Sequence, residues 1–373
     1  SIDSKRGSSS HQLNPFFVLA SKNANEEYGE AYGFNFVYSG NFTAGVEVDQ
    51  VDKCRAWMGL NEYDFSWKLE PKDVFQAPEV VMVYSGQGFG EMSRNFHKLY
   101  RTRLVRGKYR DEARPILVNN WEGTYFDFDE AKILGIAKEA KELGIELMVL
   151  DDGWFGKRNS DTCSLGDWYV NKEKLPNGII GLARKVNDLG LKFGLWFEPE
   201  MVSVDSDLYR AHPDWCIYVP DRIRTETRNQ LTLDLSRKEV CDYIVEAVGK
   251  ILDEANIAYV KWDMNRNMSE LGSQGLPADR QKEMSHRYML GLYNTMERVI
   301  SAHPNVLFEG CSGGGGRFDP GMLYYMPQIW TSDDTDAVER LYIQYGTSFA
   351  YPISAMGAHV SAAPNHQTGR MTS

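Results

Sequence analysis

The amino-acid sequence predicts an α/β fold, in which part of an antiparallel β-sandwich precedes a (β/α)8 TIM barrel that lacks its last strand. Two observations predict it. Beyond residue 115, apolar strand-like runs alternate with amphipathic helical stretches, which is the pattern of βα units and a parallel sheet. Most of these runs also end in polar or aromatic residues, and the carboxyl ends of barrel strands are where barrel active sites form.

Residues 1–86 are predicted to form the carboxyl-terminal part of an N-terminal β-sandwich domain. Residues 32–42 alternate in hydrophobicity and include a Ser-Gly-Asn turn signal. Further strands are predicted over 44–48, 65–69 and 80–84. Residues 87–114 predict a helical linker, because helical spacing over 90–103 gives way to a charged stretch with few apolar residues.

Residues 115–373 predict the catalytic barrel, truncated at its C-terminal end. Its strands are predicted over 116–119, 146–150, 192–197, 258–262, 306–308, 328–331 and 353–356. The helices between them are predicted over 128–143, 179–189, 238–254 and 282–302. A closed barrel needs an eighth strand, and the sequence does not begin with Met. We therefore expect a fragment truncated at both ends that is poorly stable by itself.

Composition excludes several classes of protein. The formal net charge of −11 argues against nucleic acid and anionic membranes as partners. The five cysteines form no close-spaced pattern, so neither a disulfide framework nor a zinc site is expected, and a cytoplasmic location fits. Nine Trp and twenty Tyr exceed what a core requires, and aromatic side chains at a rim are common where sugars bind.

The segment with the strongest functional signal is the predicted strand that leads into Lys261, Asp263 and Asn265. Side chains alternate along a strand, so these three are expected to point the same way. A strand that ends in a charged, hydrogen-bonding cluster suits a catalytic rim, with Asp263 as its most reactive group. The alternative is a buried salt bridge that closes the strand.

Asp151 and Asp152 are adjacent carboxylates at the end of the second barrel strand. Such a pair needs cations or hydrogen-bond donors, which Mg²⁺ or sugar hydroxyls supply. A metal site would require additional convergent ligands, so we expect no metal and no cofactor. Trp154 and Trp196 lie beside these carboxylates and favour a sugar stacked on an indole.

Asp333 ends the sixth strand and is expected to face Asp263 across a cavity. Two carboxylates that flank a bond are what glycoside hydrolysis needs. Lys261 suits Asp263 to the ionised, nucleophilic role, and the like charge of Asp334 suits Asp333 to proton donation. Asp336 is a competing proton donor that spacing does not exclude, although Asp334 and Asp336 are better explained as N-caps of the following helix.

Four consecutive glycines start at Gly313, but the Lys-Ser/Thr of a phosphate-binding loop does not follow them. The run is expected to let the backbone approach a ligand closely, with Cys311 and Ser312 at the rim. Cys311 has no neighbouring His in the sequence, so a buried contact role is favoured over a nucleophilic one.

Five motifs resemble those of the family 36 glycoside hydrolases, the bacterial α-galactosidases that act on raffinose and melibiose. The motifs begin at Leu150, Gly194, Lys261, Glu309 and Trp330, and the similarity covers essentially the whole chain. The resemblance implies retaining cleavage of small galacto-oligosaccharides, with Asp263 as nucleophile and Asp333 as acid/base. The resemblance also implies a homotetramer. This sequence differs mildly from the family at Asp334, where the family frequently has Asn.

The resemblance further implies a set of galactose-binding residues. Asp151 and Asp152 would bind the 4- and 6-hydroxyls, and Trp121 would approach the apolar edge of the sugar. The remaining residues expected to line the galactose are Trp196, Arg228, Lys261, Asn265, Cys311 and Gly313. Three alternatives stay open: galactosyl transfer by the same two aspartates, as in raffinose synthases, a non-catalytic glycan-binding barrel, and a metal-dependent barrel hydrolase.

Overall fold

A computed structural model describes residues 1–372 and separates them into two units. The central unit is Asp111–Glu309, and the flanking unit combines Ser1–Arg110 with the chain from Gly310 onward. Each unit has its own buried side chains.

The flanking unit begins with two antiparallel three-stranded sheets, in the orders β1-β4-β5 and β2-β3-β6. The strands are β1 (Ile2–Asp3), β2 (Phe16–Ala20), β3 (Ala31–Phe36), β4 (Phe42–Val48), β5 (Cys54–Leu60) and β6 (Val80–Ser85). The predicted turn after residue 36 therefore joins strands of different sheets and does not close a hairpin. Helix α1 (Gly88–Leu99) follows and continues as a π-helical turn, Tyr100–Leu104.

Helix α1 packs on the sheet that contains β3. Gly33 makes the contact possible, because a Cβ there would lie 2.5 Å from Phe96 Cε2 and 2.9 Å from Met92 Sδ. The strand predicted over 65–69 is wrong, since no residue from 61 to 79 belongs to a strand. The rings of Phe65 and Trp67 instead pack on Phe75, with centroids 6.5 and 5.1 Å apart, so the segment folds back on its own side chains.

The central unit consists of βα units around a parallel sheet. Its elements are β7 (Leu117–Asn119), α2 (Trp121–Thr124), α3 (Glu130–Glu142), β8 (Leu147–Leu150), α4 (Gly178–Asp188), β9 (Lys192–Phe197), β10 (Met201–Val202), α5 (Asp207–Ala211), β11 (Leu231–Thr232), α6 (Lys238–Glu254), β12 (Tyr259–Trp262), α7 (Met284–Ala302) and β13 (Leu307–Gly310). Strands β7, β8, β9 and β12 pair in parallel in that order. β8 is buried throughout, as expected of a strand covered on both faces.

Two helices of the central unit, α3 and α5, begin at a side-chain N-cap. Asp129 precedes α3, and its carboxylate accepts from Lys132 N at 2.8 Å. Ser206 caps the short α5 by accepting from Tyr209 N at 3.0 Å. The short antiparallel pair of β10 with β11 was not predicted, because two-residue strands leave no periodic signal.

The flanking unit resumes with α8 (Pro320–Tyr325), β14 (Gln328–Trp330), α9 (Ala337–Ser348) and β15 (Met356–Gly357). β14 and β15 pair in parallel. Of the strand predicted over 353–356, only Met356 is in β15. Residues Ile353–Ala355 instead form a 3₁₀ turn, in which Ala355 N donates to Pro352 O at 2.9 Å.

The predicted fold class is confirmed: a β-rich N-terminal part precedes a series of parallel strands alternating with helices. Over residues 1–372, seven strands of this series are present. Within the same residues, none of the helices is both long and apolar enough to span a lipid bilayer.

Candidate active site

The carboxyl ends of neighbouring strands in the central unit carry buried carboxylates. Asp151 and Asp152 follow β8, Glu198 follows β9 and Asp263 follows β12, and none of them is more than 7% exposed. Parallel strands end at the same edge of a sheet, so these groups converge there. Buried carboxylates require hydrogen-bond or charged partners, and the structure provides a different set for each.

Asp263 accepts hydrogen bonds on both of its carboxylate oxygens. Its Oδ2 accepts from Trp196 Nε1 at 3.1 Å and from Asn265 Nδ2 at 2.9 Å. Its Oδ1 accepts from Met264 N at 2.8 Å. Donors aimed at both oxygens stabilise the carboxylate anion and fix its orientation.

Asp151 pairs with the cation that the sequence analysis placed beside Asp263. Lys261 Nζ lies 3.3 Å from Asp151 Oδ2, and Asn119 Nδ2 donates to the same oxygen at 2.6 Å. Asn119 also accepts from Trp121 N at 2.7 Å, so the end of β7 orients Trp121 relative to this pair. The side chain of Trp121 is partly exposed and meets Tyr125 and Phe126 edge to face.

Asp152 forms a buried ion pair with Arg158. Arg158 donates through Nε and Nη2 to the carboxylate, with its shortest distance of 2.8 Å to Oδ2, and both residues are almost fully buried. Burial raises the pKa of Asp152, and the guanidinium opposes that rise. Sequence reasoning missed Arg158, because it lies in an irregular loop where no periodicity indicates its partner.

Glu198 is the second residue that sequence reasoning did not assign to the site. Its Oε1 accepts from Asn265 N and, at 2.9 Å, from Gln230 Nε2. Burial, reinforced by the nearby Asp263 carboxylate, raises the pKa of Glu198 to about 8. The only signal in the sequence was its position in a polar strand end, Glu198-Pro199-Glu200.

The two tryptophans beside the carboxylates have different environments. Trp196 presents its indole N–H to Asp263. Trp154 is completely buried against Phe155 and Phe197 and donates its own N–H to Trp196 O at 2.9 Å. The expectation that Trp154 offers a stacking face is therefore wrong, because its ring forms part of the core and supports Trp196.

Arg228 lies on a tight turn between Thr227 and Gln230. The main chains of Thr227 and Gln230 exchange two hydrogen bonds of 3.3 Å, and Arg228 and Asn229 have φ values of 54° and 58°. Left-handed residues at both central positions define this type of two-residue turn, and non-glycine residues there are strained. The turn leaves the Arg228 side chain exposed.

In the flanking unit, Asp333 follows β14 and has an exposed side chain. Its Oδ1 accepts from Trp330 Nε1 at 2.9 Å. Asp336 caps α9 by accepting from Val338 N and Glu339 N at 2.9 and 3.2 Å, as expected. Asp334 does not cap the helix, and its Oδ1 instead accepts from Asp336 N at 3.0 Å.

The glycine run packs against the segment that carries Asp333. Gly314 and Gly315 have φ values of 76° and 88°. A Cβ on Gly314 would lie 2.2 Å from Asp333 N, and one on Gly315 would lie 2.2 Å from Thr331 O. These two glycines therefore permit close approach to the protein's own backbone, which the ligand-approach interpretation did not foresee. Cys311 is buried, at 3% exposure.

The structure thus brings most of the predicted residues together within the central unit. Asp151, Asp152, Trp196, Lys261, Asp263 and Asn265 lie at the ends of adjacent strands, and Trp121 lies at the end of the next one. Asp333, Cys311 and Gly313 belong to the flanking unit. Over residues 1–372, no group of three or more His, Cys, Asp or Glu side chains is arranged to hold a metal ion.

Comparison with known proteins identifies related families and structures. Residues 74–373 match the family model "Melibiase", and residues 1–70 match the model of the glycosyl hydrolase family 36 N-terminal domain. Alpha-galactosidase AgaA of Geobacillus stearothermophilus is 66% identical over 371 residues, which cover 100% of this chain and 51% of AgaA. Alpha-galactosidase Mel36A of Lactobacillus acidophilus is 56% identical, with the same coverage of 100% and 51%. The chain spans about half the length of these curated relatives.

A crystal structure of AgaA superposes with a TM-score of 0.99 and covers 100% of this chain and 52% of that one. Variants of AgaA, also at a TM-score of 0.99, have been solved in complex with raffinose and with stachyose.

Proposed function

We propose that this protein is a retaining α-galactosidase, because the chain belongs to glycosyl hydrolase family 36 and matches its "Melibiase" model. Its substrates are terminal α-galactosyl groups of raffinose, stachyose and melibiose. Two observations from relatives support this substrate class: the names of AgaA and Mel36A, and the raffinose and stachyose bound to variants of AgaA.

The observation that carries the proposal is the environment of Asp263. Its carboxylate is buried and receives hydrogen bonds on both oxygens from Trp196, Asn265 and Met264. A fixed anion at the carboxyl end of a barrel strand is suited to attack the anomeric carbon of a sugar. In the first step the Asp263 oxygen bonds to that carbon while the glycosidic C–O bond breaks.

Asp333 is proposed as the acid/base. As a carboxylic acid it gives its proton to the departing glycosidic oxygen, and as a carboxylate it then takes a proton from water. The resulting hydroxide adds to the anomeric carbon and releases Asp263, so two displacements retain the anomeric configuration. The exposed Asp333 side chain suits a group that must exchange a proton with an incoming water.

Galactose recognition is assigned to the groups that surround Asp263. Asp151, held by Lys261, and Asp152, held by Arg158, offer fixed acceptors for the 4- and 6-hydroxyls. Trp196, Lys261 and Asn265 line the same sugar, and Trp121 approaches its apolar edge. The remaining proposed contacts are Arg228, Cys311 and Gly313.

The proposal is tested by the anomeric form of the first product. Proton NMR of p-nitrophenyl α-galactoside hydrolysis should detect α-galactose before mutarotation, and Asp263→Ala should abolish turnover. β-Galactose as the first product would exclude double displacement. Wild-type rates in Asp263→Ala would exclude Asp263 as the nucleophile.

A further inference from the structure

Glu198 is a buried carboxyl group beside Asp263 for which the proposed mechanism has no use. We propose that Glu198 is a positioning residue that ties the segment carrying Asp263 to the turn carrying Arg228. The inference rests on the proposed function, because both partners belong to the proposed galactose site. Its physical basis is one oxygen, Oε1, that accepts hydrogen bonds from both segments, through Asn265 N and Gln230 Nε2.

On the Asp263 side, Glu198 fixes the residue that orients the nucleophile. β12 ends at Trp262, and the chain from Asp263 to Asn267 has no regular secondary structure. Asn265 donates its main-chain N–H to Glu198 and its side-chain N–H to Asp263 Oδ2, the latter at 2.9 Å. Loss of the Glu198 acceptor frees the Asn265 backbone and with it one of the donors on Asp263.

On the Arg228 side, Glu198 fixes one end of the strained turn. Gln230 is 2% exposed and donates its side-chain N–H to Glu198, while its main-chain oxygen accepts from Arg266 Nη1 at 2.9 Å. Arg266 directly follows Asn265, so the two segments are connected at two points. A non-glycine residue keeps a left-handed backbone conformation only where surrounding contacts hold it there. The hydrogen bonds to Gln230 hold the turn that contains Arg228.

The charge state of Glu198 agrees with this role. The charged groups that act on it are Asp263, which follows β12, and Arg158, from the loop after β8. Burial has the largest effect on the pKa of Glu198, the Asp263 charge has the next largest, and together they raise that pKa to about 8. The Glu198 carboxyl is therefore largely neutral at pH 7. A neutral acid keeps a carbonyl-like Oε1 acceptor, and glutamine reproduces both that acceptor and the volume.

Four variants test the inference in the intact protein with p-nitrophenyl α-galactoside. Glu198→Ala should lower kcat/KM by roughly a hundredfold, as expected when a nucleophile is misplaced by about 1 Å. Glu198→Gln should keep kcat within about threefold of wild type at pH 6–7, because the working form is neutral. Gln230→Met removes the side-chain bond from Glu198 to the Arg228 turn and leaves the bond to Asn265 in place, so it should raise KM about tenfold with kcat nearly unchanged. Asp234→Asn is the matched control, since Asp234 is a buried carboxyl in the same unit that is bonded to Ser236 and Ser273.

The outcomes separate the positioning role from simple loss of stability. Asp234→Asn should lower thermal stability without changing kcat or KM. Full activity in Glu198→Ala, or a loss in Glu198→Gln as large as in Glu198→Ala, would overturn the inference. If Glu198→Ala does not fold, the inference is tested by Gln230→Met alone. An unchanged KM in that variant would also overturn the inference. Failure of the proposed function is distinct, because the wild-type protein would then release no galactose.

Discussion

Replacing Arg158 by methionine should destabilise the protein strongly, because it leaves the buried Asp152 carboxylate without its cation. Three hydrogen bonds of 2.8–3.3 Å connect the Arg158 guanidinium to Asp152, and both side chains are below 10% exposure. Removing one partner of such a buried pair typically costs about 3–5 kcal/mol of unfolding free energy. Arg158→Met is expected to lose that much at pH 7.5, as measured by urea unfolding.

The loss should depend on pH with a defined sign. Burial already raises the pKa of Asp152, and Arg158 is the main group that opposes the rise. Without the guanidinium the folded-state pKa rises further above its unfolded value. Stability from such a group is present below the unfolded pKa and is lost as pH rises through the folded pKa. Arg158→Met should therefore be closest to wild type near pH 4 and furthest from it near pH 8.

Two controls make this prediction specific. Adding Asp152→Asn to Arg158→Met should restore at least half of the lost stability, because the uncompensated charge is gone. Lys132→Met removes a pair with Asp127 whose side chains are 44% and 96% exposed, and it should change stability by about 1 kcal/mol or less. A loss below about 1 kcal/mol in Arg158→Met, or an equal loss at pH 4 and pH 8, would refute the reasoning.

Three further predictions concern the flanking unit. Asp333→Ala should reduce turnover of raffinose far more than that of p-nitrophenyl α-galactoside, because a good leaving group needs less protonation; equal losses in steady-state assays would contradict the acid role. Gly314→Ala should lower kcat by at least about tenfold, because the added Cβ would lie 2.2 Å from Asp333 N. Gly346→Ala is the control and should leave kcat unchanged, because a Cβ there meets nothing within 4 Å. Burial raises the pKa of Asp319 to about 6, so its contribution to stability is lost as pH rises through that value. From pH 4 to pH 7, the unfolding free energy of Asp319→Asn should therefore rise by up to about 3 kcal/mol relative to that of the wild type, as measured by urea unfolding. A difference between the two proteins that stays constant with pH would contradict this account.

Periodic segments of the central unit could be predicted from the sequence. β9 and α6 have the predicted bounds, and β8 and β12 begin one residue later than predicted. Continuous apolar runs become buried parallel strands because both faces of the sheet are covered. Residues 65–69 alternate equally well but form no strand, since their aromatic side chains pack on Phe75 rather than beside a partner strand.

The candidate site was only partly accessible to sequence reasoning. Asp263, Asn265 and Lys261 could be grouped because they lie within one strand end. Lys261 nevertheless pairs with Asp151, a partner on another strand that no local spacing specifies. Arg158 and Glu198 were missed for the same reason, since burial and tertiary contacts give them their roles. The domain boundaries at residues 86 and 114, the tetramer and the catalytic roles of Asp263 and Asp333 remain predictions.

The most direct test of the central claim is to trap the glycosyl-enzyme intermediate. A 2-deoxy-2-fluoro galactosyl donor with an activated leaving group slows hydrolysis of the covalent intermediate, and mass spectrometry of proteolytic peptides locates the label. We predict one galactosyl adduct per active site, on Asp263. A label on Asp333 or on any other residue would contradict the account.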